Sequence, residues 1–259
     1  MTITPSPLMR DLVNLAITAG HEIMAIYASG FSARAKQDLT PVTEADEAAE
    51  KVILSGLARI EPTTPVISEE AASAGRIPEA SGRFFLVDPL DGTKEFISRN
   101  GEFTVNIALV EDGQPVAGVV YAPALRRIFW GEQAVGAAEG HLAADESVTW
   151  TPITIRDCPA EGATVVASRS HRDAATDDYL KGVKVKSLCS AGSSLKFCLV
   201  ASGEADLYPR FGRTMEWDTA AGHAVVAAAG GKVMTTDGQP LTYGKRQRGY
   251  DNPGFIVSA

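Results

Sequence analysis

The stretch Leu86-Val87-Asp88-Pro89-Leu90-Asp91-Gly92-Thr93-Lys94-Glu95-Phe96 constrains this chain more than any other. The apolar run Phe84 to Val87 reads as a buried strand, and Asp88 follows it directly. Its carboxylate is therefore expected at the strand's carboxyl end, where α/β sheets place their ligands. Pro89, which has no N–H for a ladder, is expected to turn the chain out of the sheet. Two hard carboxylates, Asp88 and Asp91, with the Leu90 carbonyl between them, suit oxygen-seeking Mg²⁺ better than zinc, which favours His or Cys. Gly92 and Thr93 come next. If a helix begins there, its free N–H groups and dipole would face a phosphate held by cations, and the Thr93 hydroxyl would orient a water. Asp-Pro-x-Asp-Gly is also ordinary turn chemistry, so the rest of the chain decides between the readings.

Upstream, Pro65-Val66-Ile67-Ser68-Glu69-Glu70 repeats the arrangement of a short apolar strand delivering acids at its end, which makes Glu69 a third candidate ligand. Downstream, Trp217-Asp218-Thr219-Ala220-Ala221-Gly222 leads into an Ala/Val-rich run, placing Asp218 at or near a helix start, where an aspartate is also an ordinary cap. Thr43-Glu44-Ala45-Asp46 precedes a helix whose apolar positions Val52, Ile53, Leu57 and Ile60 recur at helical spacing, and Thr43 with Asp46 reads as a capping box.

Taken together these segments resemble the lithium-sensitive, magnesium-dependent phosphatases of the inositol monophosphatase superfamily, whose signatures pair a Glu-Glu, an Asp-Pro-x-Asp-Gly-Thr and a Trp-Asp in this order. Within it, Asp88 to Phe96 followed by Arg99 to Leu109 is similar to the CysQ-type 3′(2′),5′-bisphosphate nucleotidase branch. Gly192 to Cys198, Asp206 to Phe211 and Asn252-Pro253-Gly254-Phe255 repeat the same pattern, so the resemblance covers roughly Lys36 to Phe255. It implies that Glu69, Asp88, the Leu90 carbonyl, Asp91 and Asp218 ligate the metals, about two or three Mg²⁺ ions. It also implies that Asp46 and Thr93 position the attacking water. The phosphate would lie at Gly92 and Thr93. Nucleotide and second-phosphate contacts fall to His171, Ser193, Lys196 and Arg210, with Glu70 and Lys36 as electrostatic helpers. The charge types fit, because a second phosphate needs its own cations. Plainer roles stand beside these: Lys196 on a solvated helix face, Arg210 as partner of Asp206, His171 at the surface of the Ser168-Arg169-Ser170 turn.

The implied reaction is hydrolysis of the 3′-phosphate of adenosine 3′,5′-bisphosphate to AMP and phosphate, recycling a by-product of sulfur assimilation. An inositol or sugar-phosphate monophosphatase of the same superfamily is the alternative. A catalytically silent phosphate-binding protein is a third reading, but it predicts the loss of at least one metal acid, and none is missing.

Composition narrows the field. At 259 residues and 45% hydrophobic content the chain can bury a large core. A net charge of −8 argues against broad nucleic-acid binding. It does not argue against a phosphate ester, since bound cations invert the charge of an acid cluster. The three cysteines have no regular spacing and no Cys-x₅-Arg loop, so they read as buried or half-buried thiols of a reducing cytoplasm rather than nucleophiles or a disulfide framework. No run approaches a membrane span and no signal segment opens the chain, leaving a cytoplasmic monomer or homodimer, with peripheral attachment to the inner membrane face as the remaining membrane option.

Along the chain, Ser6-Pro7 starts a helix striped by Leu8, Leu12, Leu15, Ala19, Ile23 and Ile26 and closed by Gly30. Strands are expected at 66–68, 84–88, 104–110, 116–121, 127–130 and 135–138, with 137–150 a variable polar connection. A second half restarts at Ala163, with strands at 163–167, 205–208, 232–235 and 255–257 and helices at 193–201 and 219–229. The expected architecture is a layered αβαβα sandwich of the inositol monophosphatase type. It forms a single domain of two lobes: residues 1–150 carrying most of the metal set, and 151–259 carrying the substrate contacts and the last metal ligand.

Overall fold

The computed structural model describes residues 3–29, 33–35, 41–168 and 174–259, so Lys36 and His171 lie outside the described residues. In chain order the elements are α1 (Pro7–Ser29), β1 (Ala33–Ala35), β2 (Pro41–Thr43), α2 (Glu44–Ile60), β3 (Val66–Ser68), α3 (Glu69–Ser73), β4 (Arg83–Asp91), α4 (Thr93–Ile97), β5 (Thr104–Glu111), β6 (Gln114–Ala122), β7 (Arg127–Glu132), β8 (Gly136–Leu142) and β9 (Val148–Ile153). There follow β10 (Ala163–Ser168), α5 (Ala174–Leu180), β11 (Val185–Ala191), α6 (Leu195–Ala201), β12 (Leu207–Arg210), α7 (Glu216–Ala228), β13 (Lys232–Thr235) and β14 (Phe255–Ser258).

Two large sheets organise the chain. The first runs β3-β4-β5-β6-β7-β8-β9, antiparallel except for the parallel pair β3/β4; the second runs β11-β10-β12-β14-β13. The continuous apolar sequence of β4 has a simple cause, because both faces of its sheet are covered. Phe85 and Val87 pack toward α1 and α2, whereas the alternate residues Phe84 and Leu86 join the core shared with α6 and α7. That central layer also meets the second sheet through Phe197, Tyr208 and Phe255. On the second sheet's outer face Tyr179 and Leu180 of α5 pack over Val165 and Leu207. The layers are therefore α, β, α, β, α, as the sequence predicts.

Helix α7 lies almost in contact with the first sheet's backbone. Gly118 and Gly131 face each other across β6 and β7. A methyl group on Gly118 would stand 2.6 Å from the Ala221 carbonyl, and one on Gly131 2.5 Å from the Val225 Cα. Two glycines thus set the depth of the helix that carries Asp218.

Three expectations need correction, and one strand went unassigned. The stretch 137–150 is no polar connection but continues the sheet as β8 and β9, paired from Ala137↔Ile153 to Leu142↔Val148. Pro89 does not take the chain out of the sheet: pairing runs to Asp88↔Asn106, breaks at Pro89 and Leu90, and resumes at Asp91↔Thr104, so the proline sits in a bulge. β11, an edge strand with mostly exposed side chains, gave no apolar alternation to read. Cys158 is exposed, whereas Cys189 is half-buried and Cys198 buried.

Candidate metal and phosphate site

The bulge at Pro89 and Leu90 shapes the site. It shifts the register so that Asp88 and Asp91 both face one cleft, with the Leu90 N–H donating to Asp88 Oδ1 at 3.0 Å. Gly92 follows with φ of 90°, and a Cβ there would meet Ser193 Oγ at 2.1 Å, so only glycine lets this turn close against the start of α6. Glu69 opens α3 and Asp218 occupies the third position of α7, where its Oδ2 accepts the Met215 N–H at 2.7 Å. Carboxylate oxygens of Glu69, Asp88 and Asp218 all lie within 4.8 Å of one another. Asp91 lines the same cleft, of about 670 Å³.

Asp46 forms the expected capping box and also reaches Thr93. Its Oδ2 accepts the Thr43 N–H at 2.8 Å and the Thr43 hydroxyl at 2.7 Å, completing the capping box of α2, while Oδ1 accepts the Thr93 hydroxyl at 3.4 Å.

The electrostatics are those of crowded, buried acids. Burial raises Asp91 to about 6, with the charges of Glu69 and Glu95 adding to it and Lys196 opposing. Burial, then Asp91 and Glu69, hold Asp218 well above the usual carboxylate range. A set of hard oxygen donors that repel each other, with no nitrogen or sulfur ligand among them, fits a hard divalent cation.

The same cleft is lined by three of the four expected nucleotide and second-phosphate residues. Ser193 Oγ donates to the carbonyls of Asp91 and Glu102, each at 2.8 Å, tying α6 to the acid-bearing turn. Lys196 is buried rather than on a solvated helix face. Its Nζ donates to the carbonyls of Ser193 at 2.5 Å and Ala191 at 3.3 Å, sits 5.5 Å from the centre of the Tyr208 ring, and is pulled down to about 8 by burial. Arg210 spends Nε and one terminal nitrogen on the carbonyls of Gly212 and Arg213, and Asp206 pairs with Arg156 at 2.7 Å instead. The cleft also takes in Tyr208, Arg213 and Thr214, which sequence reasoning did not assign. Their only sequence signal is adjacency to Arg210 and to the Trp-Asp motif.

A layered αβαβα sandwich with carboxylates converging on a cleft that also holds the buried Lys196 and the half-buried Arg210 defines a metal-dependent phosphatase. The chain belongs to the inositol monophosphatase family, which it matches over residues 5–255. It is 49% identical over 253 residues to the 3′(2′),5′-bisphosphate nucleotidase CysQ of Salmonella typhimurium, covering 97% of this chain and 99% of that one. Among solved structures it is similar to CysQ from Bacteroides thetaiotaomicron, with a TM-score of 0.79, 39% identity and coverage of 97% and 96%. It is also similar to the suhB protein of Bartonella henselae, with a TM-score of 0.76, 26% identity and coverage of 98% and 94%. Among the described residues no helix is long and apolar enough to cross a membrane.

Proposed function

We propose that the chain is a Mg²⁺-dependent 3′(2′),5′-bisphosphate nucleotidase that hydrolyses the 3′-phosphate of adenosine 3′,5′-bisphosphate to AMP and phosphate. The observation that carries the reading is the convergence of Glu69, Asp88 and Asp218 beside Asp91 in one cleft. The choice of substrate is supported by the near full-length likeness to nucleotidases of that name. Glu69, Asp88, the Leu90 carbonyl, Asp91 and Asp218 would hold the Mg²⁺ ions, about two or three of them, whose chemistry is to acidify a water and neutralise the phosphate and its leaving oxygen.

The chain's own groups do the rest. A water that donates to Thr93 Oγ1 can pass its proton along the existing bond to Asp46 Oδ1. Gly92 keeps the turn free of side chain where the phosphate approaches, and Ser193 holds that turn against α6. Lys196 and Arg210 place positive charge in the same cleft, where the second phosphate of a bisphosphate would lie. His171 keeps its place in this reading from sequence alone. The same reading divides the labour between a metal-binding lobe at 1–150 and a lobe at 151–259, and places the enzyme in the cytoplasm as a monomer or homodimer.

The test is phosphate release from adenosine 3′,5′-bisphosphate, inositol 1-phosphate, fructose 1,6-bisphosphate and AMP in Mg²⁺, each with and without EDTA and lithium. Strong preference for the first, abolished by EDTA and reduced by lithium, is expected. Comparable rates on inositol and sugar phosphates would replace the nucleotidase with a broad phosphatase, and release from none would leave a phosphate-binding protein.

A further inference from the structure

We propose that Glu50 is a positioning residue for Glu69, acting from another helix; this rests on the assignment of Glu69 to the metal set. Glu50 lies one turn beyond Asp46 on α2, its side chain buried to 8% exposure, and it is not among the residues lining the cleft. Its Oε1 accepts the Ser68 hydroxyl at 2.5 Å and the Ala71 N–H at 3.0 Å. Those two donors bracket Glu69.

The pattern is a helix cap supplied through space. Ser68 is the N-cap of α3, yet its side chain makes no bond to its own helix. The N–H that such a cap ordinarily serves, at the third helical position, belongs to Ala71. Glu50 takes over that N–H and binds the Ser68 hydroxyl as well, using an ionisable acceptor that forms stronger bonds than a neutral one. A helix of five residues does not hold its shape by its own hydrogen bonds. The pairing of Ser68 with Val87 brings Glu69 near Asp88, and this tie sets the start of α3 from which Glu69 projects. Together with Asp46, one turn earlier and bonded to Thr93, Glu50 makes α2 the element that holds α3 and α4 in fixed relation.

The proposal is tested by calorimetric titration of the metal-stripped protein with Mg²⁺ alone, followed by phosphate release as a function of Mg²⁺. The variants are Glu50→Ala, Glu50→Gln, Ser68→Ala and, as reference, Glu69→Ala. Glu50→Ala is expected to weaken Mg²⁺ binding about 10- to 100-fold, the usual cost of losing a residue that supports a metal ligand. Its half-saturating Mg²⁺ for turnover should rise in step, while kcat at saturating Mg²⁺ falls far less. Glu50→Gln keeps an oxygen that both donors can reach and should restore most of the affinity. Wild-type Mg²⁺ affinity in Glu50→Ala, with binding lost in Glu69→Ala, overturns the proposal. Wild-type affinity in Glu69→Ala overturns the metal assignment instead. Should Glu50→Ala fail to fold, Ser68→Ala decides: weakened Mg²⁺ binding supports the tie, and unchanged binding overturns it.

Discussion

Thr93 donates its hydroxyl to Asp46 Oδ1 at 3.4 Å while the other oxygen of the same carboxylate is closed off by Thr43. One side chain thus caps the start of α2 with Oδ2 and reaches α4 with Oδ1. Because the capping bonds fix the carboxylate plane, Oδ1 is aimed without the rotamer entropy that a free aspartate would lose on meeting a substrate.

Asp46→Asn separates the two duties. An amide cannot accept at both positions with equal geometry, so the cap weakens by about 1 kcal/mol while the proton acceptor is lost. Turnover at saturating Mg²⁺ should fall about 10²- to 10⁴-fold, the range for removing a general base. Thr93→Ala should follow it, and Thr93→Ser should keep most activity because the hydroxyl remains. Steady-state kinetics beside a thermal melt checks this, and wild-type turnover in Asp46→Asn would remove the pair from the mechanism.

Lys196 yields a two-part prediction because its Nζ already serves the carbonyls of Ser193 and Ala191. Lys196→Ala should lower kcat on every substrate by loosening the turn through which Ser193 holds Asp91. It should also raise KM for a nucleoside bisphosphate more than for a simple monophosphate, the mark of lost binding to the second phosphate. Equal changes in KM on both would restrict Lys196 to holding the turn.

The acids Glu69, Asp88 and Asp218 were legible because each sits where a local pattern changes, at a strand end or a helix start, and such places collect ligands. What was not legible depends on partners distant in sequence. Glu50 reads as an ordinary polar position on an amphipathic helix, and only the fold brings it to Ser68 and Ala71. The burial of Lys196 could not be read, because burial of an amine needs carbonyls that the sequence does not announce. Pro89 reads as the end of a strand, since a bulge differs from an exit only in whether pairing resumes at Asp91. Asp206 has a cation near it in sequence, Arg210, but pairs with Arg156, fifty residues earlier.

The glycine pair beneath α7 links packing to the site. In Gly118→Ala the new methyl would press on backbone, the Ala221 carbonyl at 2.6 Å, which cannot swing aside as a side-chain tip can. Overpacking of this kind costs about 1–3 kcal/mol. If α7 lifts to relieve it, Asp218 moves with the helix, so urea unfolding should show the loss of stability and Mg²⁺ titration a weaker apparent affinity. A stable variant with unaltered Mg²⁺ dependence would show that α7 is not seated on the glycines as described.

His223 gives the chain a defined acid sensitivity. It is 6% exposed, with Nδ1 3.0 Å from the Tyr243 hydroxyl, which in turn donates to Thr219. That direction makes Nδ1–H the donor to Tyr243, and burial, which penalises the charged imidazolium, drives the pKa down to about 3 and keeps the ring neutral. In the unfolded chain the group titrates near its ordinary value of about 6.5. Between those values the unfolded state binds a proton that the folded state refuses, so stability falls as pH drops from about 6.5 toward 3 and is unaffected by this group above that window. From pH 7.5 to pH 5 the contribution is a loss of about 2 kcal/mol. His223→Gln keeps a donor for Tyr243 and removes the titration, so its urea midpoint should decline less than that of the wild type over the same interval. Parallel decline of the two proteins would mean that the folded protein takes up the His223 proton as readily as the unfolded chain, so that burial does not hold the imidazole neutral.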